Sequence, residues 1–348
     1  MRQPTYFQKN RLRLVEFNVE NLFIYLDHYQ GQNLDSVSER EWQKFSASTA
    51  KNKPLQQVRE VARAILELKA DIVMLCEVGG KESLDNFNRL FLGDLYAVHL
   101  MEGNSERGID IGYLVKKSLP FRYDLISHKS RTIDFLYPHE KLTKETGYTD
   151  LESGKLTSHR FSRDVLELRV FEDDVNPCLI LLLVHLKSQL DPDRIDPGGR
   201  DRRRAELEKL VQIYKELDDE FAGKVPVMLT GDFNGLAAVT NHDPEFGALY
   251  SRTDLRDALE VAGVAHDERF THMQLPQRNS RVGAGVNRQL DYIFIPAKIH
   301  GRVNSTETWV YRFKDHLGMG MQIPRNYNEK KLLCSDHYPV VLTLDPEA

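Results

Sequence analysis

Short apolar runs rich in β-branched residues recur along the whole chain, and most of them stop on a polar side chain. They cover 12–17, 72–76, 95–100, 111–115, 164–171, 178–184, 225–230, 290–295 and 338–344, with the length and composition of strands. Asn18 ends RLRLVEFN, Glu77 ends DIVMLCE, His185 ends CLILLLVH, and Asp232 and Asn234 follow VPVMLTG. Two further clusters lie the opposite way round: Asp291 opens DYIFI, and Ser335, Asp336 and His337 precede YPVVLTL. If those two strands run antiparallel to the first set, all these polar groups arrive at one rim. Asn, Asp and Gly also belong at strand ends for turn reasons alone, so any one of them taken singly reads equally well as a turn former.

Helical periodicity is clearest from Pro54 to Lys69, where Leu55, Val58, Ala62, Ile65 and Leu66 are placed on one face. A second helix is expected from Arg202 to Phe221 with Leu207, Leu210, Val211 and Tyr214 inward, and shorter ones over 81–92 and 253–262. Strands and helices mix without strict alternation, which points away from a barrel and toward an α/β (α+β) sandwich of mixed sheets with helices outside. No Pro/Gly/Ser-rich linker divides the chain, so 1–348 is read as one domain. The polar stretches 27–53, 129–163, 189–201 and 265–289 are too long for simple turns, and such insertions commonly carry function.

Carboxylates gathered from Glu77, Asp232, Asp291 and Asp336 repel one another, so a rim holding all of them requires a compensating cation or raised pKa values. Oxygen ligands without cysteine favour Mg²⁺ or Mn²⁺ over zinc. His185 and His337 are then available for proton transfer or for binding developing charge, with Asp291 able to orient an imidazole. Metal and histidine together suggest phosphoryl hydrolysis.

At these residues the chain resembles the endonuclease/exonuclease/phosphatase superfamily, whose fold is deoxyribonuclease-I-like. The matching segments are FNVENLF around Asn18, LCEV around Glu77, RGIDIGYLV at 107–115, VHLKS at 184–188, LTGDFN, LDYIFI and CSDHYPVVLTL, in the family's order from Leu12 to Leu344. The resemblance implies a four-layer sandwich, two mixed β-sheets face to face with helices outside, and Mg²⁺-dependent (or Mn²⁺-dependent) hydrolysis of a phosphoester at one rim. It assigns Glu77 as the main metal-binding acid, with Asn18 and Asp336 completing the ligand set. Asp232 and Asn234 resemble the pair that positions or deprotonates the attacking water and holds the phosphate. His337, oriented by Asp291, resembles the histidine that contacts the phosphate or acts as general base, and His185 the one that stabilises the pentacovalent phosphate or protonates the leaving oxygen. Phe233, between Asp232 and Asn234, is expected to turn inward.

The pattern also departs from the family's. Some nuclease branches have an acid two residues past the first Asn, and here Glu20 stands there, able to bind a second cation or to face solvent. His185 replaces the tyrosine of abasic-site nucleases, which argues against that specificity. Asp110 pairs with His185 or Arg107, or ends a turn.

For substrate contacts, Lys187 and Ser188 follow His185 closely. The segment Arg269–Arg288 carries Arg269, Arg278, Arg281 and Arg288 without an acid and leads into Asp291, so Arg281 and Arg288 are candidates for holding phosphate oxygens. The cluster at 200–204 reads as well as a locally paired structural one, with Asp196, Asp201 and Glu206 as partners. A nuclease acting on DNA or RNA is the leading expectation, whether endonuclease or exonuclease. A phosphatase or phosphodiesterase for inositol phosphates, phospholipid head groups or another small phosphoester is the alternative.

The formal net charge of -5 speaks against a protein that coats nucleic acid through overall charge. Three scattered cysteines, Cys76, Cys178 and Cys334, form neither a disulfide framework nor a zinc motif. With no bilayer-length apolar run and no signal-peptide core, the expectation is a soluble cytoplasmic protein without a membrane span, and no protein partner is indicated.

Overall fold

Two six-stranded mixed sheets face each other in the computed structural model, which describes residues 6–141, 158–173, 175–275, 286–315 and 317–347. The strands are β1 (Leu12–Leu22), β2 (Ile72–Val78), β3 (Tyr96–Leu100), β4 (Asp110–Lys116), β5 (Arg122–Ser127), β6 (Val165–Phe171), β7 (Leu179–His185) and β8 (Val227–Asp232). They continue with β9 (Ala237–Ala238), β10 (Asn241–His242), β11 (Arg256–Asp257), β12 (His272–Gln274), β13 (Val286–Arg288), β14 (Asp291–Ile295), β15 (Trp309–Val310) and β16 (Val340–Leu344). One sheet has the order β15-β16-β1-β2-β4-β3 and the other β11-β14-β8-β7-β6-β5.

Each sheet has a parallel pair at its centre, β1 with β2 and β7 with β8, flanked by an antiparallel strand, β16 or β14. The C-terminal ends of the parallel pairs and the N-terminal ends of β14 and β16 therefore meet at one rim. β7, covered on both sides, is apolar as far as His185, and every one of its residues is buried. Tyr113 ties the layers together, its hydroxyl donating to the carbonyls of Leu166 at 2.8 Å and Leu181 at 3.0 Å.

The helices Leu55–Leu68 and Gly80–Phe91 cover the first sheet, and Arg200–Glu220 covers the second, packing against β8. Leu207, Leu210, Val211 and Tyr214 are buried as their spacing predicts. Leu66 is not: it is 41% exposed, because the buried stripe is centred near Ile65, and Leu66 lies about 100° round the helix from it. The helix expected over 253–262 shrinks to Ala258–Val261, since Arg256 and Asp257 pair with Ile295 and Phe294 as β11. β5 escapes the apolar-run reading because only an edge strand tolerates its alternating polar residues. Trp42 is a packing residue, fully buried with its indole N–H on the Lys53 carbonyl. Among the described residues no helix is long and apolar enough to cross a membrane.

Asp257 caps that short helix through the N–H of Leu259 and accepts from Gln289 Nε2 at 2.8 Å. Burial raises its carboxyl from 3.8 to about 7. The folded state thus binds the proton more tightly than the unfolded chain, and stability falls as pH rises from about 4 to about 7. Asparagine caps as well and cannot ionise. Asp257→Asn is expected to raise the Tm at pH 8 by several degrees, roughly 2–4 °C per kcal/mol recovered, and to leave it unchanged near pH 4. Equal melting of the two proteins at pH 8 would contradict this.

Candidate active site

Asp232 ends β8 with His185 beside it in the β7 register and Asp291 beside it in the β14 register. The strands can approach because residue 231 is glycine: with φ 129°, a Cβ there would lie 1.9 Å from the Val184 carbonyl oxygen. Phe233 turns inward, fully buried against Phe246, Tyr292 and Phe294. Asn234 then takes the left-handed conformation at φ 54°, which asparagine tolerates, and its N–H donates to Asp232 Oδ1 at 2.8 Å. Its side-chain amide donates to the Leu186 carbonyl at 3.1 Å.

The first sheet completes the arrangement. Asn18 Nδ2 donates to Asp232 Oδ2 across the interface at 3.0 Å, and Asn18 Oδ1 accepts the Glu20 N–H. Glu77 is left-handed at φ 66°, a costly conformation for glutamate, and its Oε2 accepts the Asn21 N–H at 3.1 Å. His337 Nδ1 and Asp291 Oδ2 are 2.7 Å apart.

A cleft of about 290 Å³ opens between the sheets. Glu20, Glu77, Asp232 and Asp336 line it together with His185, His272 and His337. Arg107, Arg163 and Arg288 supply positive charge, and Asn21, Ser188, Gln189 and Asn234 add neutral polar groups to the wall. Asn18 and Asp291 are buried immediately behind, bonded to Asp232 and His337. A larger hollow of about 830 Å³ against the helix Arg200–Glu220 holds none of the strand-end residues.

Of the expected phosphate contacts, one is engaged elsewhere and one is not described. Lys187 turns away from the cleft and donates its ammonium to the carbonyls of Ser188 and Leu190, because the loop folds back on itself there. Arg281, with Arg278, lies outside the described residues; Arg288 does reach the cleft. Asp110 meets neither suggested partner in a hydrogen bond and accepts the Gly103 N–H at 2.7 Å. In the 200–204 cluster, Arg203 is buried and paired with Glu245 at 2.5 Å.

Charge is distributed unevenly through the site. Burial, then the neighbouring Asp291, lifts the Asp232 carboxyl to about 7. Burial alone would lower His337, but Asp291 and Asp232 outweigh it and hold the imidazole well above its ordinary value. His185 is pushed well below its ordinary value by burial and by Arg163 and His337, so it is neutral. Its Nε2 lies 3.5 Å from Asp232 Oδ2, while Nδ1 has no hydrogen-bond partner among the described residues. Burial would raise Asp336, yet His337 and Lys330 bring it down to about 2.

Several of these groups carried no strand-end signal. His272 arrives from β12, which bridges to His337, and their rings are 4.6 Å apart. Glu16 lies fully buried in β1 beside Cys76, with neither oxygen in a geometric hydrogen bond among the described residues, and burial with Asp291 and Asp232 nearby holds its carboxyl well above the usual range. Period-two patterning does place Glu16 on the face of Leu14 and Asn18, a signal available in the sequence.

Residues that could hold a cation fall into two sets. Ligand atoms of Asp232, Asp291 and His337 lie within 4.8 Å of one another. That trio is already closed by the Asp291–His337 hydrogen bond, and a protonated imidazole repels a metal ion. Glu77, Asp336 and Asn18 offer oxygens only, the chemistry a hard divalent ion prefers.

Comparison with solved structures decides the architecture. A truncated TDP2 of Caenorhabditis elegans superposes with a TM-score of 0.54 at 17% identity, over 96% of this chain and 98% of that one. An endonuclease/exonuclease/phosphatase family protein from Bacteroides thetaiotaomicron gives 0.54 at 17%, over 97% and 98%. The fold is that of the endonuclease/exonuclease/phosphatase proteins. D. rerio TDP2 complexed with a single-strand DNA product shares this fold at a TM-score of 0.56 and 16% identity, over 96% of this chain and 99% of that one. So does a mannosyl-6-phosphatase of Bacteroides thetaiotaomicron, at 0.53 and 17%, over 95% and 98%. No protein-family model and no curated protein matches the sequence.

Proposed function

We propose that this chain is a divalent-metal-dependent phosphodiesterase that acts as a nuclease on DNA or RNA. The observation that carries the reading is the convergence on Asp232: Asn18 from one sheet, His185 from the other and the Asp291–His337 pair beside it, in a cleft lined by Arg107, Arg163 and Arg288.

Glu77, Asp336 and Asn18 would hold Mg²⁺ or Mn²⁺. When bound, the ion supplies positive charge to the phosphate and the departing oxygen. The arginines bind non-bridging oxygens of the substrate. His337 keeps a proton on Nε2, fixed by the Nδ1 contact with Asp291, and donates it as a hydrogen bond to the phosphate. Asp232, whose carboxyl titrates near neutral pH, takes the proton of the attacking water as the new P–O bond forms and the scissile P–O bond breaks. Asn18 and the Asn234 N–H aim its two oxygens.

A second hollow, of about 520 Å³, adjoins the cleft through Glu20 and Asn21. Lys51 and Lys331 are exposed along it, and Tyr327, at 47% exposure, and Phe23 provide flat surfaces. Cations with aromatics beside a scissile site suit a substrate that continues as a polyanionic strand. This favours a nucleic acid over a small phosphoester.

Incubation with single-stranded DNA, RNA and bis(p-nitrophenyl) phosphate, with Mg²⁺ and with chelator, tests the proposal. Metal-dependent cleavage of the polymers is expected, and hydrolysis of small esters alone would favour the phosphatase reading. Glu77→Gln is expected to weaken Mg²⁺ activation about 10–100-fold; an unchanged Mg²⁺ requirement would remove Glu77 from the ligand set.

A further inference from the structure

The rim carries a cation of its own. Lys330, at the end of the short helix Tyr327–Lys330, places Nζ 2.7 Å from Asp336 Oδ2 and 3.0 Å from Glu20 Oε1. Glu20 is locked on its other side, because Oε2 accepts the backbone N–H of Asp336 at 3.0 Å. Its carbonyl accepts Lys53 Nζ at 2.8 Å. The lysine does not swing freely: Asn326 caps the helix through the N–H groups of Asn328 and Glu329, and the Lys330 side chain is only 22% exposed.

Two carboxylates bridged by a compact charge have the layout of a divalent-ion site, and an ammonium with three donors fills it without dehydrating a metal. Asp336 keeps Oδ1 toward the cleft, 4.0 Å from His337 Nε2, while Glu77 accepts the Asn21 N–H and forms no ion pair within 4 Å of a lysine or arginine among the described residues.

We propose that Lys330 is the resident second cation of this site, holding Glu20 and Oδ2 of Asp336 where a second divalent ion would bind, so that the chain takes up one ion, at Glu77 with Asn18 and the other oxygen of Asp336. The inference rests on the metal-dependent reading above and deepens it. Glu20, left open in the sequence between a second metal and solvent, becomes the partner of a lysine.

Titration of the full chain with Mn²⁺, followed by the EPR signal of the free ion, counts the sites without reference to activity. Saturation at one ion is expected for the wild type and at two for Lys330→Met, which keeps the aliphatic stem and frees both acids. Two ions in the wild type, or one in both proteins, would overturn the proposal. Glu20→Gln provides a test independent of whether Lys330→Met folds. Mn²⁺ affinity is expected to fall by no more than about 100-fold, the range for a residue that supports the ligand Asp336, whereas loss of all measurable Mn²⁺ binding would make Glu20 a ligand of the bound ion and overturn the assignment. A wild type that binds no Mn²⁺ would defeat the metal-dependent reading itself, and this inference with it.

Discussion

His337→Ala is expected to lower kcat by about a thousandfold or more while KM changes little, since the lost hydrogen bond acts where charge develops on the phosphate. The imidazole is the positive member of a buried pair, with Asp291 fully buried and the two 2.7 Å apart. Removing one partner of such a pair costs about 3–5 kcal/mol of stability, because the other charge is left without compensation. A lowered Tm should therefore accompany the loss of turnover, and rates must be compared well below both melting temperatures. Asp291→Asn separates the two effects. It leaves no carboxylate to be orphaned, and the imidazole can release its proton, yet the charged acceptor that fixes Nδ1 is replaced by a neutral amide, so turnover should fall about 10²–10⁴-fold with a smaller stability loss. Retention of a tenth of wild-type turnover in His337→Ala would exclude His337 from the chemistry.

Much of this arrangement was legible because a strand end is a local feature. A buried run followed by an acid or amide requires only a short window, and the alternation of parallel and antiparallel neighbours brought Asn18, Glu77, His185, Asp232, Asp291 and His337 to one rim. The long helices were legible for the same reason, since a 3.6-residue period spans several turns. What stayed hidden depends on pairing between distant segments. His272 sits in a polar stretch whose three-residue strand exists only because β13 and the residue before Tyr338 accept it. Lys330 looks like any surface lysine until its helix is seen against Glu20 and Asp336. Arg163 precedes a strand and donates to the Leu186 carbonyl, a contact that no spacing rule contains. Lys187 shows the reverse case: its nearness to His185 in sequence predicted a substrate contact, and local backbone acceptors captured the ammonium instead.

Asp232→Asn should separate catalysis from stability in the opposite direction from His337→Ala. The carboxyl is raised from 3.8 to about 7 by burial and by Asp291, so the folded state binds its proton more tightly than the unfolded chain. Stability is lost as pH rises from about 4 through about 7, and above that the site holds an ionised carboxylate against Asp291. Asparagine ends the repulsion and keeps the shape, with its oxygen available to the Asn234 N–H or, after an amide flip, to Asn18. Without metal at pH 8, the variant is expected to melt several degrees above the wild type, roughly 2–4 °C for each kcal/mol recovered, with the gap closing toward pH 4. Its kcat, however, should fall about 10²–10⁴-fold, because the group that accepts the water proton is gone. Near-wild-type turnover would move that role to another residue, and a lower Tm at pH 8 would mean that the carboxylate is stabilised rather than strained by its surroundings. Both changes together identify a residue kept for its chemistry at the expense of the fold, as expected where like charges are gathered to receive a proton.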